Sequence, residues 1–120
     1  MYQILSNLQT AFGAAQSHFF LPSGARVKIS LNLRCIAHSG PVCVRCGCVG
    51  TEWQETIVKQ TPTLTVATLN LFGWRDGEWV MMTADHIKPR HHGGSDALNN
   101  LQTMCQPCNG SKGHKFVANK

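Results

Sequence analysis

No run of apolar residues in this chain reaches the ~18 to 20 needed to cross a bilayer as a helix, so a helical membrane span is excluded. Acid is scarce as well: six Asp and Glu stand against eleven Lys and Arg, a net charge of +5. That balance is compatible with a polyanionic partner, nucleic acid among them, and equally with a basic surface that serves solubility alone. The opening "MYQILSNLQTAFGAAQ" lacks the basic start of a secretory leader. Internal repeats, low-complexity runs and a clear linker are also missing, so residues 1–120 read as one domain, near the small end of what buries a core unaided. Cysteine, by contrast, is plentiful, at six. Without a leader, this points to a reducing cytoplasm, where paired cysteines more often hold a metal than form disulfides.

The pattern of apolar residues outlines an α+β chain. Ile4, Leu5, Leu8, Phe12, Ala15 and Phe19 fall on one face at helical spacing, which predicts an N-terminal helix. After the break "LPSGA", Val27, Ile29, Leu31, Leu33 and Cys35 alternate with polar residues. That is the period of a half-buried strand, with a helix carrying Val27, Leu31 and Cys35 inward as the alternative. Residues 64–72, "LTVATLNLF", predict another strand. Asp76-Gly77 suits a two-residue type I′ turn, which would set Trp74 opposite Trp79 as a cross-strand pair. The returning strand "EWVMMTADHI" ends on Asp85 and His86.

Two thiol pairs bracket these strands. Cys43-x-x-Cys46-Gly47 and Cys105-x-x-Cys108-Asn109 each present two sulfurs to one ion, and four sulfurs close a structural zinc site. Cys48 is an alternative to Cys46, and Cys35 is left as an ordinary reduced residue. The spacing makes the metal a staple between a turn near residue 45 and a segment near residue 107. That segment carries Gly110 and Gly113 and would be a marginal helix alone.

Polar chemistry concentrates in residues 84–115, "ADHIKPRHHGGSDALNNLQTMCQPCNGSKGHK". Asp85 and the Asn109 carbonyl are hard oxygen ligands that suit Mg²⁺ or Mn²⁺ rather than thiolate-loving ions. Neighbouring strand residues face opposite ways, so His86 is free for another task, accepting a proton from water. Lys112, three residues beyond Asn109, shares its helix face and could meet a phosphate. Lys88, Arg90 and Lys115 are further candidates for phosphate contact. Arg90, His91 and His92 otherwise read as a solvated loop, and His114 as an exposed helix end.

Asp85-His86, Gly93-Gly94, Asn100-Leu101 and Cys105-x-x-Cys108-Asn109-x-x-Lys112 together resemble the HNH nuclease motif, in its Cys₄ zinc form with a ββα-metal finger. The resemblance covers residues 83–115, and Cys43 and Cys46 complete the zinc set. It implies metal-dependent hydrolysis of DNA phosphodiesters, with double-stranded DNA the expected partner and 5′-phosphate products. His86 would be the general base, and Asp85 and Asn109 the ligands of the catalytic Mg²⁺ or Mn²⁺. Asn100 would brace the loop and orient His86, with Asn99 as an alternative. On this reading Asp85→Ala should cost activity and leave the melting temperature nearly unchanged. Small proteins of this kind are similar to phage-encoded HNH proteins. Residues 1–42 form an extension of helix and strand before the zinc-stapled core of residues 43–115, and resemble nothing recognisable.

Overall fold

The computed structural model describes residues 2–112. Helix α1 (Tyr2–Gly13) leads into a hairpin of β1 (His18–Phe20) and β2 (Arg26–Lys28), then helix α2 (Leu31–Ser39). Strands β3 (Gly50–Gln60), β4 (Thr65–Arg75) and β5 (Glu78–His86) follow as a meander. A loop with two short 3₁₀ turns then leads to β6 (Leu101–Cys105) and helix α3 (Gln106–Lys112). The sheet runs β1-β2-β4-β5-β6, with β3 on the other side of β4; β2 and β4 are parallel and the remaining pairs antiparallel.

Two elements differ from their sequence outline for identifiable reasons. Helix α1 ends at Gly13, and Ala15 sits in a left-handed turn at φ 58°. Phe19 therefore reaches the core from β1 rather than from the helix. The alternation across residues 27–35 is not one strand either. Only Arg26–Lys28 is extended, and Ser30 then caps α2 by accepting the Leu33 backbone N–H at 3.2 Å. A serine in that position satisfies an otherwise orphaned amide and starts a helix, which overrides the period-two pattern. The helix buries Leu33, Cys35 and Ile36.

The hairpin at Asp76-Gly77 follows expectation. Both residues have positive φ, 50° and 81°, as a type I′ turn requires. Trp74 pairs with Trp79 in the ladder, and their rings meet edge to face at 5.1 Å between centroids.

Apolar packing forms two adjoining clusters. Leu8, Phe19, Leu21, Val27, Leu33 and Leu69 gather under α1 and the first hairpin. Ile36, Leu71, Met82 and Met104 gather with Cys43, Cys105 and Cys108 under β5 and β6. Trp53 packs against both. Fully burying a side chain such as Leu33 or Leu71 contributes about 1.5 to 3 kcal/mol, so the second cluster gives the cysteine-bearing segments an apolar floor.

The N-terminal elements also reach the end of β5. Asn32 of α2 accepts the backbone N–H of Ala84 at 2.8 Å through its Oδ1. Asn32→Ala removes that acceptor from a partly buried amide, which should destabilise the chain by about 1 to 3 kcal/mol. Urea unfolding checks this, and an unchanged midpoint would show that α2 does not hold the strand end.

Candidate functional site

Strands β5 and β6 and helix α3 form a ββα unit. The ladder sets Asp85 opposite Gln102 and His86 opposite Leu101. Helix α3 then begins directly after Cys105, with Pro107 in its first turn, where a missing N–H costs nothing.

The four expected thiols converge. One sulfur each from Cys43, Cys46, Cys105 and Cys108 lies within 4.8 Å of every other, and Cys46 and Cys105 are 3.7 Å apart. Tetrahedral zinc with Zn–S bonds near 2.3 Å sets its sulfurs about 3.8 Å apart, so the donor set fits such an ion. Cys48 lies outside it, with its sulfur against the Trp74 carbonyl at 3.7 Å. Cys35 is buried against the Thr103 hydroxyl.

The thiols differ sharply in acidity. Burial pushes the Cys108 thiol up to about 12, and its contacts with Cys105 and Cys46 act in the same direction. At Cys43 burial also raises the value, but the backbone N–H groups of Cys46, Cys105 and Arg45 outweigh it and hold the thiol down at about 6. Such a cluster releases all its protons only when a cation replaces them. Arg75 adds positive charge nearby, its Nη1 donating to the sulfurs of Cys105 at 3.4 Å and Cys108 at 3.6 Å.

A pocket of about 390 Å³ is lined by Asp85, His86, Arg90, Asn109 and Lys112 among others. His86 is largely buried and its Nε2 lies 2.7 Å from Asp96 Oδ1. An ionised carboxylate only accepts hydrogen bonds, so Nε2 carries the proton and Nδ1 is the basic nitrogen. Arg90 clamps Asp96 in turn, through Nε at 3.0 Å and Nη2 at 2.9 and 3.0 Å. The hydrogen bond from His86, followed by those from Arg90, holds the Asp96 carboxyl below its ordinary range.

Asn100 is tied into the loop by its side chain. Its Nδ2 donates to the carbonyls of Lys88 and Ser95 and its Oδ1 accepts from the Lys88 N–H. It braces the loop, whereas the side chain that holds His86 is Asp96. Asn99 is exposed. The loop also needs Gly94, because a Cβ there would run into the Lys88 carbonyl. Asp96 escaped the sequence reading because it belongs to no recognised part of the motif, although it is the one acid in the loop after His86.

Lys112 is not at the surface. Its side chain is 2% exposed, that of Asp85 is 4%, and its Nζ lies 2.9 Å from Asp85 Oδ2. The same ammonium donates to Asp85 Oδ1 at 3.0 Å and to the His86 carbonyl at 2.7 Å. Gln102 Nε2 donates to Asp85 Oδ2 at 2.8 Å. Asn109 donates through Nδ2 to the Thr83 hydroxyl and the Ala84 carbonyl, which leaves its Oδ1 as the atom available to a ligand. Lys88 and Arg90 are exposed. Lys115 and His114 lie outside the described residues.

The chemistry of this pocket, a constrained imidazole that shares its wall with two residues bearing hard oxygen donors, agrees with one comparison. Residues 74–115 match the family model described as HNH endonuclease. No curated protein and no solved structure matches the chain. This match, which takes in the Trp74 hairpin and α3, points to a nuclease or nucleic-acid-binding function. Among the described residues no helix is long and apolar enough to cross a membrane.

Two outcomes test this geometry. Cys105→Ser should bind less metal than the parent and unfold or precipitate, since a structural zinc in such a site contributes on the order of 10 kcal/mol in small domains. Elemental analysis beside a thermal melt reads both, and parent-like zinc content would refute the cluster. Asp85→Ala, expected from sequence to spare the fold, should instead lower stability by roughly 3 kcal/mol or more, because it strands a buried ammonium. For a chain of this size that is on the order of 10 °C in Tm.

Proposed function

We propose that the chain is a divalent-metal-dependent endonuclease that hydrolyses DNA phosphodiester bonds, with His86 as general base. The observation that carries this reading is the placement of His86. Its Nε2 is tied to Asp96 and its side chain lines the pocket shared with Asn109 and Asp85. A neutral Nδ1 would take the proton from an attacking water. The imidazolium so formed would keep its Nε2–H against the Asp96 carboxylate, which stabilises the positive charge while the proton resides on the ring.

Asp85 and Asn109 would hold the catalytic Mg²⁺ or Mn²⁺ through carboxylate and amide oxygens, a donor set that suits a hard ion. Such an ion, when bound, supplies polarisation of the phosphate and stabilisation of the leaving oxygen. Zinc in the cysteine cluster would serve the fold alone. Lys88 and Arg90 would face the phosphates of double-stranded DNA, Arg90 with the Nη1 that Asp96 leaves over, and Lys115 would extend this basic edge. Residues 1–42 would belong to the same domain, since Asn32 supports the strand that carries Asp85 and His86.

A second reading is a zinc-stabilised module that binds nucleic acid without cutting it. It is favoured by one observation, that Asp85 already has a cation in Lys112.

The two separate on one preparation. With supercoiled plasmid and Mg²⁺ or Mn²⁺, His86→Ala should cut ~10² to 10⁴-fold more slowly than the parent and keep its DNA affinity in a gel shift. Asp96→Asn should also slow cutting, with zinc content and DNA affinity preserved. Affinity itself should fall steeply with salt, because phosphate contacts release counterions. A parent protein that binds DNA and never cuts with Mg²⁺, Mn²⁺ or Ni²⁺ would establish the binding module instead.

A further inference from the structure

We propose that Lys112 is the resident cation of the Asp85 carboxylate, and that a divalent ion loads only by displacing its ammonium. The proposal rests on the reading of Asp85 and Asn109 as the ion's ligands.

An ammonium has three N–H donors, and each has an acceptor here: Asp85 Oδ1 at 3.0 Å, Asp85 Oδ2 at 2.9 Å and the His86 carbonyl at 2.7 Å. Carboxylate and carbonyl oxygens are also what a hard divalent cation takes. The pair is nearly inaccessible to water, at 2% and 4% exposure, so a second cation at Asp85 would meet little screening. Two cations at one desolvated carboxylate repel each other, and one must leave.

The surroundings point to an exchange rather than a permanent tie. Lys112 lines the same pocket as Asp85, His86 and Asn109, so the residue is part of the wall of the candidate site. Gln102 fixes Asp85 Oδ2 by a separate hydrogen bond, which holds the carboxylate in place when the lysine goes. Oδ1 receives only the lysine among the described contacts, and is the oxygen left for an ion. Asn109 and Lys112 lie three residues apart on α3, so one helix delivers both the neutral ligand and the competing cation. The displaced ammonium enters the pocket it already lines, where a phosphate oxygen would become its new partner.

The consequence is a threshold: metal affinity in the absence of DNA is held down by Lys112. Zinc-loaded protein without nucleic acid is titrated with Mn²⁺, and the free ion is read by electron paramagnetic resonance. Lys112→Met and Lys112→Gln should bind Mn²⁺ about tenfold or more tightly than the parent, and Asp85→Asn combined with either should abolish the gain. Mn²⁺ should also raise the Tm of Lys112→Met more than that of the parent, since the stranded carboxylate recovers a counterion. Equal or weaker Mn²⁺ binding by the folded variants overturns the proposal, as does the absence of Mn²⁺ binding in parent and variants alike.

Should both variants fail to fold, the parent decides. Pulse labelling with acetic anhydride, read at Lys112 by mass spectrometry, should show protection without Mn²⁺ and modification with saturating Mn²⁺. Protection unchanged by the ion overturns the proposal. None of these measurements reads cleavage. A protein that exchanges Lys112 for Mn²⁺ without cutting removes the nuclease reading alone, and one that cuts with Lys112 still protected removes this inference alone.

Discussion

Helix α3 is seven residues long, too short to hold its shape in water by its own hydrogen bonds. It nonetheless carries Asn109 and Lys112, which must meet side chains on β5 to within a hydrogen bond. The convergence of Cys105 and Cys108 on Cys43 and Cys46 supplies the missing constraint. Two of the four sulfurs stand at the start of α3 and two on the turn before β3, so a bound ion would fix the helix against a part of the chain some sixty residues earlier. Burial assists, because Cys43, Cys105 and Cys108 pack with Leu71, Met82 and Met104. The apolar cluster packs against the helix, and an ion held by the four thiols would fix its direction.

Much of the ββα region was legible because its signals are chemical and do not depend on packing. Asp76-Gly77 carries its turn preference in its own backbone, and the two CxxC pairs and Asp85-His86 gain their meaning from standing together in one motif. Other elements were opaque for physical reasons. Strand β3 is exposed along almost all of its length and owes its extension to pairing with β4, so it shows no inward face to read. Strand β6 is buried at all five positions and includes Gln102 and Thr103, which break any apolar run. Both polar residues are inside because each has a partner, Asp85 for one and the Gly40 carbonyl for the other. Lys112 misled for the same reason. A lysine near a chain's basic end reads as a surface charge, and only the fold reveals a carboxylate buried beside it.

The end of β5 shows how one strand divides two roles. Asp85 and His86 are adjacent and line one pocket, and each meets an ion pair of a different kind. Asp85 and Lys112 are both shielded from water, so their attraction is strong and losing either partner is costly. Asp96 and Arg90 are half exposed or more, at 50% and 62%, where solvent screening leaves an ion pair with little effect on stability. That weakness suits its place. The exposed pair is not needed to keep the chain folded, so its effect is to fix the tautomer and direction of one imidazole. The buried pair does the reverse: it holds α3 to β5, and on the proposed reading its carboxylate would bind an ion only once the ammonium let go. The electrostatics of the site turn on that difference in burial between Asp85 and Asp96.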